Sequence, residues 1–179
     1  MKKFALLALL AGCAGNSGPT AAPFTLVDQS GNAWSLEAQH GKAVALFFGY
    51  THCTDTCPAT LAKLATAFSS AGANASDAEI AFVTVDPQRD TPPVMGRYIA
   101  RFSGADIVGL TGTPAQIAEV ERTYHVWSQR IPGRRGNNDY DEGHTAIVFL
   151  IDRTGHIASM PDDSDAVSAI SNDVRKVIE

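Results

Sequence analysis

The chain has 179 residues, which is the length of a single domain. Hydrophobic residues make up 45% and charged residues 18% of it, a globular composition that excludes wholesale disorder. The formal net charge of -5 argues against a nucleic-acid-binding protein, and three cysteines are too few for a scaffold held by several disulfides.

The first residues have the pattern of an export signal. Two lysines precede the apolar run 4–10, which is shorter than the roughly 20 residues that a membrane-spanning helix needs. The order Leu10-Ala11-Gly12-Cys13 resembles a bacterial lipobox, which implies a signal peptide over residues 1–12 and a lipid on Cys13. The alternative is an ordinary signal peptide with a chance cysteine.

Residues 13–22 are rich in Gly, Ser, Pro and Ala, and this composition predicts a flexible tether. With a lipid on Cys13, we expect an extracytoplasmic, membrane-anchored bacterial lipoprotein that faces the periplasm or the outer surface of the membrane. Residues 23–179 then form the folded domain, which we expect to be a monomer.

The folded region alternates strand and helix patterns. Alternating and apolar runs predict strands over 24–27, 33–36, 44–48, 80–85, 107–108, 145–151 and 156–159. Helical spacing predicts helices over 58–71, 92–102, 114–124 and 163–178, with Thr113 as the N-cap of the third. The polar segment 130–143 is predicted to be a loop. This order predicts an α/β fold with a mixed central sheet flanked by helices and an N-terminal β-hairpin.

Cys53 and Cys57 lie between a predicted buried strand and the start of a helix. Functional sites of α/β folds gather at the carboxyl ends of strands, and a helix N-terminus stabilises a thiolate. Residues four apart share a helix face, so the two sulfurs come within reach of one metal ion or of each other. A disulfide across so short a loop would stabilise the fold little, which favours a functional role.

A candidate third metal ligand is His144, at the start of the predicted strand 145–151. Two thiolates and one imidazole suit copper or zinc, and a closed structural zinc site would need a fourth protein ligand. Asp86 follows the predicted strand 80–85, where it is a candidate weak fourth ligand or a residue that orients the ligands. His52 adjoins Cys53; its role stays open between ligation, an influence on the thiol pKa and contact with a partner.

Several stretches resemble, in family order, the Sco/SenC family of copper-binding proteins, which have a thioredoxin-like fold. They are residues 24–26 with Asp28, 49–51, 53–58, 85–92 and 109–113, and Tyr140 with His144-Thr145. The resemblance implies that Cys53, Cys57 and His144 bind copper as Cu(I) or Cu(II). It further implies a metallochaperone that assembles the binuclear copper centre of cytochrome c oxidase. The partner would be the copper-site subunit of the oxidase or another copper chaperone.

The chain departs from the family pattern without losing a predicted ligand. Thr54 stands where proline is common, Gly143 stands where an aspartate often precedes the histidine, and the predicted loop carries an extra pair, Arg134-Arg135. A lipid also replaces the transmembrane anchor of many relatives. Two other functions stay open: a thiol–disulfide oxidoreductase in which Cys53 and Cys57 cycle to reduce a copper-site protein, and a peroxide-reducing enzyme of the same fold.

Overall fold

The structure is a computed structural model that describes residues 18–132, 140–162 and 164–179. The predicted signal peptide, the predicted lipidation site Cys13, most of the predicted tether and the pair Arg134-Arg135 lie outside these residues. Within the described ranges, every helix is too short or too polar to cross a bilayer.

The described part of the chain forms nine strands and four α-helices. In chain order they are β1 (Thr25–Val27), β2 (Ala33–Ser35), β3 (Ala43–Gly49), α1 (Thr56–Ala71), β4 (Ala78–Thr84), α2 (Pro92–Ile99), β5 (Ile107–Leu110), α3 (Pro114–Thr123), β6 (Ser128–Pro132), β7 (Tyr140–His144), β8 (Val148–Ile151), β9 (Ile157–Ser159) and α4 (Val167–Ile178). The central sheet has the order β5-β4-β3-β8-β9. Strands β3, β4 and β5 are parallel to one another, β8 pairs antiparallel with β3, and β9 pairs antiparallel with β8. This mixed sheet confirms the predicted fold class, and β1 and β2 form the predicted hairpin.

Strands β3 and β4 are buried along their whole length, as their apolar runs predict. On one face, the Phe82 ring lies 5.8 Å from Phe47 and 5.4 Å from Tyr98 of α2. On the other face, the Phe48 ring lies 5.9 Å from Tyr124, which follows α3, and 6.3 Å from Phe149. The sheet is therefore the middle layer of a sandwich.

Two helices begin at positions other than those predicted, and one of these differences places Cys57 inside a helix. The α3 helix has a full capping box between Thr113 and Gln116, which confirms Thr113 as its N-cap. The α1 helix begins at Thr56, two residues before the predicted start, so Cys57 lies in its first turn rather than before it. The α4 helix begins at Val167, later than the predicted position 163.

The prediction of a loop over 130–143 is wrong in its described parts. Strands β6 and β7 pair antiparallel as a two-stranded ribbon outside the central sheet, with Ser128 opposite His144 and Arg130 opposite Glu142. The sequence of these strands lacks apolar alternation because the ribbon lies at the surface rather than in the apolar core, so charged residues and Gly143 are tolerated there. His144 is accordingly the last residue of β7, and the next strand begins at Val148 instead of 145.

We predict that Gly49→Ala destabilises the reduced protein by about 1–3 kcal/mol, because it overpacks the core. A Cβ at Gly49 would lie 2.7 Å from Phe82 Cε2 and 2.8 Å from Cys57 Sγ, so one of them must shift. Denaturant unfolding measures the change. The matched control is Gly96→Ala inside α2, where the nearest atom would be 3.6 Å away and alanine favours the helix. Equal stability of the two variants would contradict the prediction.

Candidate metal centre

The candidate site lies where the parallel strands β3 and β4 end. Beyond β3 the chain passes through Tyr50 and the cysteine-containing loop into α1, and beyond β4 it passes through residues 85–91 into α2. The β6–β7 ribbon covers this edge and brings His144 to the cysteines. Carboxyl ends of neighbouring parallel strands meet at one edge, which is why residues distant in sequence converge here.

The geometry joins Cys57 to His144. The Cys57 Sγ lies 3.4 Å from His144 Nε2, and the other ring nitrogen, Nδ1, lies 3.1 Å from the Thr145 carbonyl oxygen. Because a carbonyl only accepts hydrogen bonds, Nδ1 carries the proton and the lone pair of Nε2 points at the thiol. The Tyr50 ring meets the imidazole edge to face, with ring centroids 5.8 Å apart. The imidazole is thus oriented as a metal ligand would be.

The second cysteine lies on the solvent side of the first. Cys57 is fully buried, whereas Cys53 is partly exposed, and both are free thiols. The Cys53 Sγ accepts a hydrogen bond from the Cys57 backbone N–H at 3.3 Å. The Cys53 N–H in turn donates to the Tyr50 carbonyl oxygen at 3.3 Å. The loop therefore presents one sulfur outward and one inward.

The two thiols differ in acidity because they share one hydrogen bond. The Cys57 thiol donates to Cys53, and backbone N–H groups of Cys57 and Asp55 add to this, so the pKa of Cys53 falls to about 5 despite its partial burial. The same hydrogen bond, together with burial, raises the pKa of Cys57 well above its ordinary value. At neutral pH the reduced pair therefore holds a thiolate on Cys53 and a proton on Cys57.

A buried carboxylate that the sequence reasoning missed fixes the loop before Cys53. Asp90 Oδ2 accepts hydrogen bonds from the Thr51 N–H at 2.9 Å and the Thr84 hydroxyl at 2.7 Å. Its Oδ1 accepts from the Thr51 hydroxyl at 2.6 Å. Asp90 is fully buried, and this burial raises its pKa. The sequence signal for it is its position at the end of the resemblance over 85–92.

Asp86, the candidate fourth ligand, is engaged by the ribbon and its neighbours. Its buried carboxylate accepts a hydrogen bond from the Tyr140 hydroxyl at 2.9 Å and contacts Arg89 Nε. Arg130 Nη2 lies 3.8 Å from it. Arg89 also donates to the Tyr140 carbonyl oxygen at 2.8 Å and lies 3.6 Å above the Tyr140 ring. These contacts favour orientation of the ribbon over metal ligation.

The site is not closed around a metal. In the described ranges, no three His, Cys, Asp or Glu side chains are already arranged to hold an ion. Cys57 Sγ contacts His144 Nε2, and Cys53 Sγ accepts hydrogen bonds from the Cys57 amide and thiol. A three-ligand site therefore requires these side chains to rearrange around the ion.

A cleft of about 500 Å³ opens beside Cys53, and its lining includes His52, Asp55, Arg89 and Asp141.

Near His144, the ribbon packs against an exposed tryptophan. A Cβ at Gly143 would lie 3.4 Å from the Trp127 ring, and Trp127 is 56% exposed. Gly143, one of the departures from the family pattern, thus packs beside a tryptophan, and a Cβ at this position would make ordinary van der Waals contact with the ring. The sequence alone gave Trp127 no role.

Comparisons with known proteins point to one family. The SCO1/SenC family model matches residues 14–179. A SCO2-like protein of Rickettsia prowazekii is 34% identical over 133 residues, which are 74% of this chain and 64% of that protein. The chain thus spans less than two thirds of the length of this relative.

Two solved structures of copper-bound proteins share the fold. One is ScoI of Bradyrhizobium japonicum with copper bound, with 35% identity, a TM-score of 0.79 and coverage of 88% of this chain and 99% of that one. The other is ScoI of Arabidopsis thaliana with copper bound, with 31% identity, a TM-score of 0.80 and coverage of 89% and 98%.

We predict that iodoacetamide modifies Cys53 of the reduced protein much faster than Cys57. Because the pKa of Cys53 is lowered to about 5, its rate should rise through that pH and level off before neutrality. An ordinary cysteine would keep reacting faster up to about pH 8.5. Peptide mass spectrometry assigns the modified cysteine.

The control for this reactivity is Cys57→Ala, which removes the side-chain donor to Cys53 and should move the rate profile toward higher pH. A Cys53 rate in the unsubstituted chain that still rises steeply above neutral pH would contradict the assignment of the thiolate.

Proposed function

The chain belongs to the SCO1/SenC family, and on this premise we propose that it is a metallochaperone that binds copper through Cys53, Cys57 and His144. The observation that carries the proposal is the contact between Cys57 Sγ and His144 Nε2 beside a second free cysteine. Sco proteins are cytochrome c oxidase assembly proteins, and two similar structures hold copper. The proposed recipient is the binuclear copper centre of that oxidase, reached directly or through another copper chaperone.

The donor set fits copper better than a structural zinc ion. Two sulfurs and one neutral imidazole are soft to borderline ligands, which suit Cu(I) in a three-coordinate site. A closed zinc site needs a fourth protein ligand. The nearby carboxylates of Asp86 and Asp90 are instead occupied by the arginine, tyrosine and threonine groups around them.

The protonation of the pair supports binding coupled to proton release. Metal ligation needs thiolates, and Cys53 is already one at neutral pH. Cys57 must give up its proton when copper binds, since its pKa is raised in the metal-free protein. Uptake of one Cu(I) should therefore release about one proton from this pair.

Position and tethering favour delivery over storage. Cys53 is partly exposed at a cleft, and His144 is on a ribbon that is separate from the central sheet. A partner can therefore approach the cargo from the Cys53 side without opening the core. We further propose that a lipid on Cys13 anchors a monomeric chain to an extracytoplasmic membrane surface, with the tether giving it reach.

A second candidate function, thiol–disulfide reduction of the recipient's cysteines, is favoured by the unequal acidity of the two thiols. The exposed Cys53 thiolate would attack a partner disulfide and form a mixed disulfide, which releases one partner thiolate. Cys57, once deprotonated, would then attack Cys53 and release the second. This sequence oxidises the pair by two electrons and reduces the partner by two.

We predict that the reduced chain binds one Cu(I) and that His144→Ala weakens the affinity by at least about tenfold. Cys53→Ser and Cys57→Ser should weaken it further, because each removes a soft sulfur ligand. A competition titration against a coloured Cu(I) chelator measures all three. The matched control is His40→Gln, an exposed histidine beside the first residues of β3, at the opposite edge of the sheet.

The same variants separate the two functions. If a variant that combines Cys53→Ser, Cys57→Ser and His144→Ala binds Cu(I) as tightly as the unsubstituted chain, the metallochaperone proposal fails. If His144→Ala weakens copper binding yet reduces a model disulfide at the unsubstituted rate, His144 serves copper binding alone while the two cysteines serve both roles, and both functions stand.

A further inference from the structure

The function proposed above leaves His52 without a role. It directly precedes Cys53, and its side chain is 51% exposed. Both residues line the same cleft of about 500 Å³. His52 thus lines a cleft through which a partner can reach Cys53 from the solvent.

The ring of His52 is held by a relay that ends on a buried carboxylate. The Thr51 hydroxyl donates its only hydrogen to Asp90 Oδ1 at 2.6 Å. Thr51 Oγ1 also lies 3.3 Å from His52 Nδ1, and toward this nitrogen it can only accept. With Nδ1 donating to this hydroxyl, the lone pair of the ring is on Nε2.

His52 and His144 have the same hydrogen-bonding pattern, and each is associated with one of the two cysteines. In His144, Nδ1 donates to the Thr145 carbonyl and Nε2 faces the buried Cys57. In His52, Nδ1 donates to the Thr51 hydroxyl, and the ring lines the cleft together with the outer cysteine. An oriented imidazole whose second nitrogen is anchored through a hydroxyl to a carboxylate is the arrangement that holds histidine ligands of metals.

We propose that His52 Nε2 and Cys53 Sγ form an outer Cu(I) site through which copper passes between a partner and the inner pair of Cys57 and His144. The inference rests on the proposed function. Each step is a ligand exchange in which copper stays Cu(I) and no electron moves. His52 and the Cys53 thiolate each give a lone pair without losing a proton, and the displaced partner ligand leaves with its own lone pair.

The test is the rate at which copper-loaded protein yields Cu(I) to bathocuproine disulfonate, followed by stopped-flow absorbance. For His52→Ala we expect release about tenfold slower than in the unsubstituted chain, with an equilibrium affinity that changes by less than about twofold. His40→Gln, the distant exposed histidine, should leave both quantities unchanged. Release from His52→Ala at the unsubstituted rate would overturn the inference while the proposed function stands.

A measurement without copper checks the relay itself. Long-range ¹H–¹⁵N NMR of the reduced, metal-free chain should show His52 with its proton on Nδ1. Thr51→Val should shift His52 toward the other tautomer because the accepting hydroxyl is gone, and Thr51→Ser should restore it. A wild-type proton on Nε2 overturns the inference. If the unsubstituted chain takes up no Cu(I) at all, the proposed function has failed and the inference falls with it.

Discussion

The contact between the buried Cys57 thiol and His144 Nε2 is the interaction on which the site depends. It joins the first turn of α1 to the last residue of β7, two elements that come from distant parts of the chain. Gly49 makes it possible, because any side chain there would occupy the space of the Cys57 sulfur. The packing of Gly49 against Phe82 and the position of the Cys57 sulfur are therefore coupled, so a change in one displaces the other.

Two buried carboxylates on one short segment hold the two flanks of the site. Asp90 fixes the loop that carries Cys53, through Thr51, and Asp86 fixes the ribbon that carries His144, through Tyr140 and Arg89. Both carboxylates lie between β4 and α2, so a single connection sets the distance between the loop and the ribbon. Buried charges of this kind are tolerated only when they are hydrogen-bonded, as both are here.

Sequence reasoning found the fold and the three candidate ligands, because apolar runs and the Cys-Pro helix start are local signals. It missed the ribbon, since Arg130, Glu142 and Gly143 carry a loop-like composition although they pair across β6 and β7. It also gave Asp90 and Tyr140 no structural task, because their partners are set by tertiary packing rather than by spacing. The rearrangement that a three-ligand copper site needs depends on tertiary contacts, which no sequence pattern reports.

X-ray absorption at the copper edge of the reduced, Cu(I)-loaded full chain tests the central claim most directly. The account predicts two sulfur neighbours and one imidazole nitrogen around each copper, with the nitrogen supplied by His144. A shell of sulfur alone, or one with a single sulfur, would contradict it.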